Sequence, residues 1–211
     1  MNPTLEQARA TTGPLDTLTD EHRLIERIIS ALLAYTADLD GGADPADLGR
    51  FVDLIAGFAD ARHHEKEEDI LFDAMVEAGF PRDGGPIAVM LFEHDQGRRF
   101  VGALRDCASR AGAWTVSDKA IVRENAAQYA NLLRQHIVKE DTILYPMARR
   151  ALSEKAMTAV EARFDELEGG EDARAELERF LVLADALFTR YLGSPALSVR
   201  PLSVRGVANL R

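Results

Sequence analysis

Twice in 211 residues the chain writes a histidine, a glutamate four positions later, an apolar pair and an aromatic: HHEKEEDILF at 63–72 and HIVKEDTILY at 136–145. No other feature restricts the fold as tightly. In a helix, positions i and i+4 share a face, so His63 and Glu67 form one stripe, and His136 and Glu140 another. The neighbours along these stripes are Ala59, Ile70 and Ala74 for the first, and Tyr129, Leu132, Leu133, Ile143 and Met147 for the second. Both pairs are therefore predicted to face a helical core. A buried carboxylate is strongly unfavourable unless it is paired or binds a cation. No lysine or arginine lies on the same stripes.

The rest of the chain supplies helices for such a core. Strand signals are lacking: there are no alternating β-branched runs joined by hairpin turns. A first helix is predicted over 19–39, stopped by Gly41-Gly42. A second opens at Asp44-Pro45, a capping residue followed by a proline in the first turn, and reaches residue 78. The third covers 86–111, and the fourth opens near TVSD at 115–118 and reaches 152. Two shorter helices follow over 153–168 and 171–192, split by Gly169-Gly170. The expectation is an all-α chain: an up-down-up-down four-helix bundle over 18–152 and a C-terminal helical extension over 153–192. A flexible lead (1–17) and an extended tail (193–211) complete it.

The chain also repeats itself. EHRLIER at 21–27 resembles EHDQGRR at 93–99, an offset of 72, while His63 and His136 are offset by 73. The first helical hairpin is thus echoed in the second. His22 shares a stripe with Ile25, Ile29 and Leu32, and His94 shares one with Ile87, Leu91, Val101 and Leu104. His22 and His94 lie near the starts of odd helices, and His63 and His136 lie past the midpoints of even ones. In an up-down-up-down arrangement all four meet at one end of the core. Imidazoles and two carboxylates in an apolar layer have one common physical solution, which is one or two multivalent cations. The mixed nitrogen and oxygen donors suit iron, with manganese or zinc as alternatives.

Charge and composition narrow the partners. A net charge of −10 argues against nucleic acid and anionic membrane, both of which need a basic surface. No apolar run approaches the ~20 residues of a membrane span. The polar start MNPTLEQARATTGP lacks the basic and apolar regions of a secretory signal. A single cysteine, Cys107, excludes an internal disulfide framework and fits a reducing cytoplasm.

The order His22, His63-x-x-x-Glu67, His94, His136-x-x-x-Glu140 resembles the hemerythrin-like, or HHE cation-binding, domain over roughly residues 18–150. The resemblance implies a four-helix bundle around two non-haem irons. His22 and His63 would serve one, His94 and His136 the other, and Glu67 and Glu140 would bridge them. Two positions depart from the oxygen-carrying members. Arg98 stands where those carriers place another histidine, and their second bridging carboxylate falls at the position of Asp141. His64 adds a fifth imidazole that either binds the first iron or supports it from behind, and Glu26 and Glu68 are candidates for orienting hydrogen bonds. Ferritin-like proteins use a different spacing, Glu-x-x-His, and more carboxylates. The implied function is a site that binds or reacts with O2, peroxide or NO, as a carrier-like binder or a weak oxidoreductase. The alternative is an iron- or oxygen-sensing module acting on a protein partner through its C-terminal region.

Overall fold

The computed structural model describes residues 13–193, and all regular structure among them is helical. Local chemistry sets the helix ends. Helix α1 (Pro14–Ala37) starts earlier than predicted, because Pro14 suits the first turn and the Asp16 carboxylate accepts the Gly13 N–H at 3.2 Å. It ends at Ala37, two residues short of the prediction, and the turn that follows runs through the predicted glycines, Gly42 adopting φ 114°. Asp44 caps α2 (Pro45–Leu54) by accepting the Ala46 N–H. The helical run then continues through two π-helical segments, π1 (Ile55–His64) and π2 (Glu67–Leu71), into α3 (Phe72–Glu77). α4 (Gly85–Ala108) follows. α5 (Val116–Lys139) is capped by Thr115 and Asp118. It passes through a third π segment, π3 (Glu140–Leu144), into α6 (Tyr145–Ala151). The last two helices are α7 (Glu154–Glu168) and α8 (Glu171–Leu192). Residues 1–12 of the predicted lead, and the predicted tail from 194 onward, lie outside the described residues.

The π segments change the predicted phase. A π turn bonds i to i+5 and so takes in one extra residue, and in an α-helix one residue is worth about 100° of rotation. Pro146 explains the turn at 140–144: it has no N–H, and its ring opposes the Thr142 carbonyl. One consequence is that Ile143, predicted to lie inside, is 51 % exposed. The first π run carries no proline. It does carry Gly57, where a Cβ would fall 2.1 Å from Cζ of Phe180, so α8 packs directly on backbone there.

Helix α4 runs along α5, α1 packs on α5 and α8, and α2 packs on α4 and α8. The apolar core has two parts. The larger includes Ile29, Leu32, Phe51, Phe58, Leu104, Ala126 and Leu133, with Phe180, Leu187 and Phe188 from α8. The smaller includes Leu15, Leu18, Phe72, Met75, Ile87 and Leu144, with Val160 and Phe164 from α7. In sequence, each histidine falls between residues of one part and residues of the other. The polar side chains therefore form a layer between two apolar ones, not a cap on the end of the core. No helix among the described residues is long and apolar enough to cross a membrane.

Candidate metal centre

All seven predicted side chains meet in that layer. His22, His63, His64, Glu67, His94, His136 and Glu140 are each no more than 4 % exposed. Every imidazole rests one nitrogen against a carboxylate. The Nδ1 atoms lie 2.9 Å from Asp141 for His22, 2.9 Å from Glu21 for His63 and 3.3 Å from Asp60 for His64. They lie 2.7 Å from Glu68 for His94 and 2.9 Å from Glu93 for His136. An ionised carboxylate only accepts, so in the neutral imidazole, the form that binds a metal, Nδ1 carries the proton and Nε2 turns its lone pair inward. Histidines that bind metals are oriented in this way.

The inward atoms fall into two groups. His22, His63, Glu67 and Glu140 offer ligand atoms within 4.8 Å of one another, and so do His64, Glu67, His94 and His136. Glu140 touches both groups, with Oε2 at 3.2 Å from His22 Nε2 and Oε1 at 3.0 Å from His136 Nε2. Glu67 does too, its Oε2 lying 3.7 Å from His63 Nε2 and 3.5 Å from His94 Nε2. Four buried atoms of these residues have no hydrogen-bond partner: His64 Nε2, Glu67 Oε2 and both carboxylate oxygens of Glu140. His94 and His136 also point Nε2 at Nε2 across 2.9 Å. Orphaned acceptors and facing lone pairs, converging in an apolar layer, are what a cation satisfies. The donor set fits metal ions.

Without a cation the layer is electrostatically divided. Burial disfavours the charged form of His22, but Asp141, Glu140 and Glu67 override it and hold the imidazole up at about 10. Burial likewise opposes charge on His136, and Glu140 and Glu93 raise it to about 10. Burial pulls His63 down to about 3 and His94 well below its usual range. Burial and the nearby Glu140 carboxylate hold the Glu67 carboxyl well above the usual range. Glu140 is also buried, but the His136 and His22 imidazolium charges hold it well below. One of the two carboxylates thus keeps a proton while its neighbour is ionised.

The supporting residues repeat with the sequence. Glu21 on α1 supports His63, and its twin Glu93 on α4 supports His136. Glu68 and Asp141, each next to a central glutamate, support His94 and His22 respectively. Lys66 bonds Glu21, and its twin Lys139 bonds Glu93. Sequence reasoning quoted both Glu-His pairs as a repeat but assigned the glutamates no role, because each serves a histidine on the neighbouring helix.

Three expectations need correction. Glu26 is exposed and supports nothing in the layer, because α1 turns residues 22, 25 and 29 inward. Glu68 serves His94 and not His64. His64 joins His94 and His136, not His22 and His63. Its ring stacks on His94 at 3.8 Å and 11°.

Arg98 ties Asp60, at 2.8 Å, to Glu68, at 2.6 Å, so one guanidinium links the carboxylates behind His64 and His94. A cavity of about 240 Å³ opens beside them, lined by Ile55, Asp60, His64, Gly97, Arg98 and Tyr129 among others. On the opposite flank Lys66, fully buried, also reaches Glu168 of α7.

Comparisons with known proteins bear on the chain's family. The chain is similar to the uncharacterized protein Rv1995 of Mycobacterium tuberculosis and to the uncharacterized protein Mb2018 of Mycobacterium bovis. Each is 28% identical over 154 residues, covering 71% of this chain and 58% of the relative. The match thus spans little more than half the length of those relatives. No solved structure matches at comparable stringency. Residues 12–148 match the hemerythrin HHE cation-binding domain, and a match of that extent, over the helices that carry the polar layer, makes the chain a member of that family.

Proposed function

We propose that the chain is a non-haem di-iron protein whose centre binds or reacts with O2, peroxide or NO. His22 and His63 would hold one ion and His64, His94 and His136 the other, with Glu67 and Glu140 between them. The observation that carries this reading is the set of orphaned atoms on His64, Glu67 and Glu140, since two cations give each a partner. Iron in this setting supplies a redox change and coordination positions for small ligands. The protein holds the imidazoles in one tautomer through their Nδ1 carboxylates. The cavity that reaches His64 favours access by a small molecule. Manganese or zinc would fit the same donors but bring a different reactivity.

We read the four long helical runs as an up-down-up-down bundle, because early residues of α1 and α4 meet late residues of the second and fourth runs. The one cysteine and a supply of reduced iron both suit a cytoplasmic setting. Elemental analysis of anaerobically iron-loaded protein tests the reading: about two irons per chain are expected, and one or none overturns it.

A second reading has its own observation. The series His63, Glu21, Lys66, Glu168 connects the layer to α7 through polar contacts, buried as far as Lys66 and half-buried at Glu168. An iron- or oxygen-sensing role, exerted through the C-terminal helices, would use that connection. Amide exchange in α7 that is the same with and without metal would count against it.

A further inference from the structure

Among the inward donors and the rings stacked on them, the two halves differ in two places, and the differences compensate. His64 in the first half corresponds to Ile137 in the second, so the first half has an imidazole that its twin lacks. Phe72 in the first half corresponds to Tyr145 in the second, so the second half has a hydroxyl that its twin lacks. Both rings occupy equivalent places. Phe72 lies near-parallel to His94 at 6.1 Å and 17°, and Tyr145 near-parallel to His22 at 5.5 Å and 6°. Tyr145 is 3 % exposed. Its hydroxyl oxygen stands 2.7 Å from Glu67 Oε1 and 3.2 Å from His22 Nε2. That oxygen faces the group of donors that has two imidazoles, whereas His64 faces the group that has three.

We propose that Tyr145 is a metal ligand, its phenolate oxygen completing the position held by His22, His63, Glu67 and Glu140. The inference rests on the two-ion reading above. It gives each ion five protein donors: two carboxylates and two histidines in both cases, with Tyr145 as the fifth at one and His64 at the other. On binding, the phenolic O–H bond breaks as the oxygen–metal bond forms, and the proton leaves to solvent. No electron is transferred. A hard anionic oxygen favours the trivalent ion and a third imidazole suits the divalent one, so the two positions differ in the oxidation state they prefer.

The test uses the full chain and a Tyr145→Phe variant, each loaded with ferric iron alone, with iron counted in the samples used for spectra. Phe72 already fills the twin position, so the substitution keeps the shape of the layer. Wild-type protein is expected to show a visible phenolate-to-iron charge-transfer band, with tyrosine ring modes enhanced in its resonance Raman spectrum. Both are lost in Tyr145→Phe, while the three-histidine position keeps its iron. Iron-loaded wild type without phenolate modes overturns the proposal and leaves the two-ion reading standing; Tyr145 is then a neutral donor to Glu67. A visible band that survives Tyr145→Phe unchanged also overturns it. Wild type that takes up no iron overturns both.

Discussion

The carboxylates behind the imidazoles offer a controlled perturbation, because twins on the two sides differ in burial. Glu21→Gln and Glu93→Gln each keep the size of the side chain and remove one charge from an Nδ1 contact of 2.9 Å. A hydrogen bond to a charged partner contributes about 1.5–3 kcal/mol, and roughly 1.4 kcal/mol is a factor of ten. Each substitution should therefore weaken metal binding about 10- to 100-fold at one position, the range found for residues that orient metal ligands. Glu21→Gln should affect the ion near His63, and Glu93→Gln the ion near His136. Stability separates the two. Glu21 is 4 % exposed, and fully buried Lys66 would be left with only Glu168 as an ionised partner, at a cost of about 2 kcal/mol, less than for a charge left with no partner. For a chain of this size that lowers Tm by roughly 4–8 °C. Lys139 is 33 % exposed, so water replaces Glu93 and the loss stays within about 1 kcal/mol. Competition with a chelator of known affinity measures the first effect, and calorimetry of metal-free protein the second. Equal melting of the two variants, or unchanged metal affinity in both, would refute the reasoning.

Glu67→Ala and Glu140→Ala should each abolish the paired centre, whereas Glu65→Ala, on the exposed face, should leave metal content at the wild-type level; the reverse pattern in elemental analysis would mean the buried face is misassigned. The metal-free chain should lose stability from pH 7 to pH 10. His22 and His136, raised from an ordinary 6.5 to about 10, stabilise the fold fully below about 6.5 and lose that contribution as pH climbs through the folded value. A drop in Tm of roughly 5 °C or more over that window is expected, and a flat profile would contradict it. The loaded chain should show the opposite slope on the acid side, since protons compete for the inward Nε2 atoms; metal retention measured from pH 7 to pH 4 checks this. Gly57→Ala should cost about 1–3 kcal/mol through overpacking, because its methyl meets the Phe180 ring, and a denaturant midpoint equal to wild type would rule out that close approach.

Six of the seven clustered side chains were readable from spacing alone, because α-helical periodicity carries His22, His94 and the two His-x-x-x-Glu pairs inward. What the pattern missed follows from its own assumptions. His64 lies about 100° from His63 on an ideal helix, yet both end the π segment buried in the layer, in different donor groups. Glu21, Glu93 and Asp60 sit on the first, third and second helical runs but act across a helix–helix gap, a relation that periodicity along one helix does not encode. Lys66 is next to Glu67 and reads as a solvated charge, yet it is buried because Glu168, 102 residues later, comes down on it. Helix boundaries were legible wherever a cap or glycine marks them, and α1 was underestimated because its start rests on the Pro14 and Asp16 pair.

The span of these contacts along the chain also decides when the layer can form. His63 and Glu67 are four residues apart, but His22 reaches Asp141 across 119 residues and Tyr145 across 123. Contacts of that separation close late, after the local helices and hairpins that bring their ends together. During synthesis His22, His63, His64, Glu67 and His94 emerge before His136 and Glu140 exist. The unfinished chain therefore displays five strong donors with neither their final geometry nor the apolar layers that shield them. A cation captured at that stage sits in an open and mismatched set, free to exchange. On the proposed reading the donor set is complete only once the last two long helical runs dock on the first two, so the choice of metal is made at the end of folding.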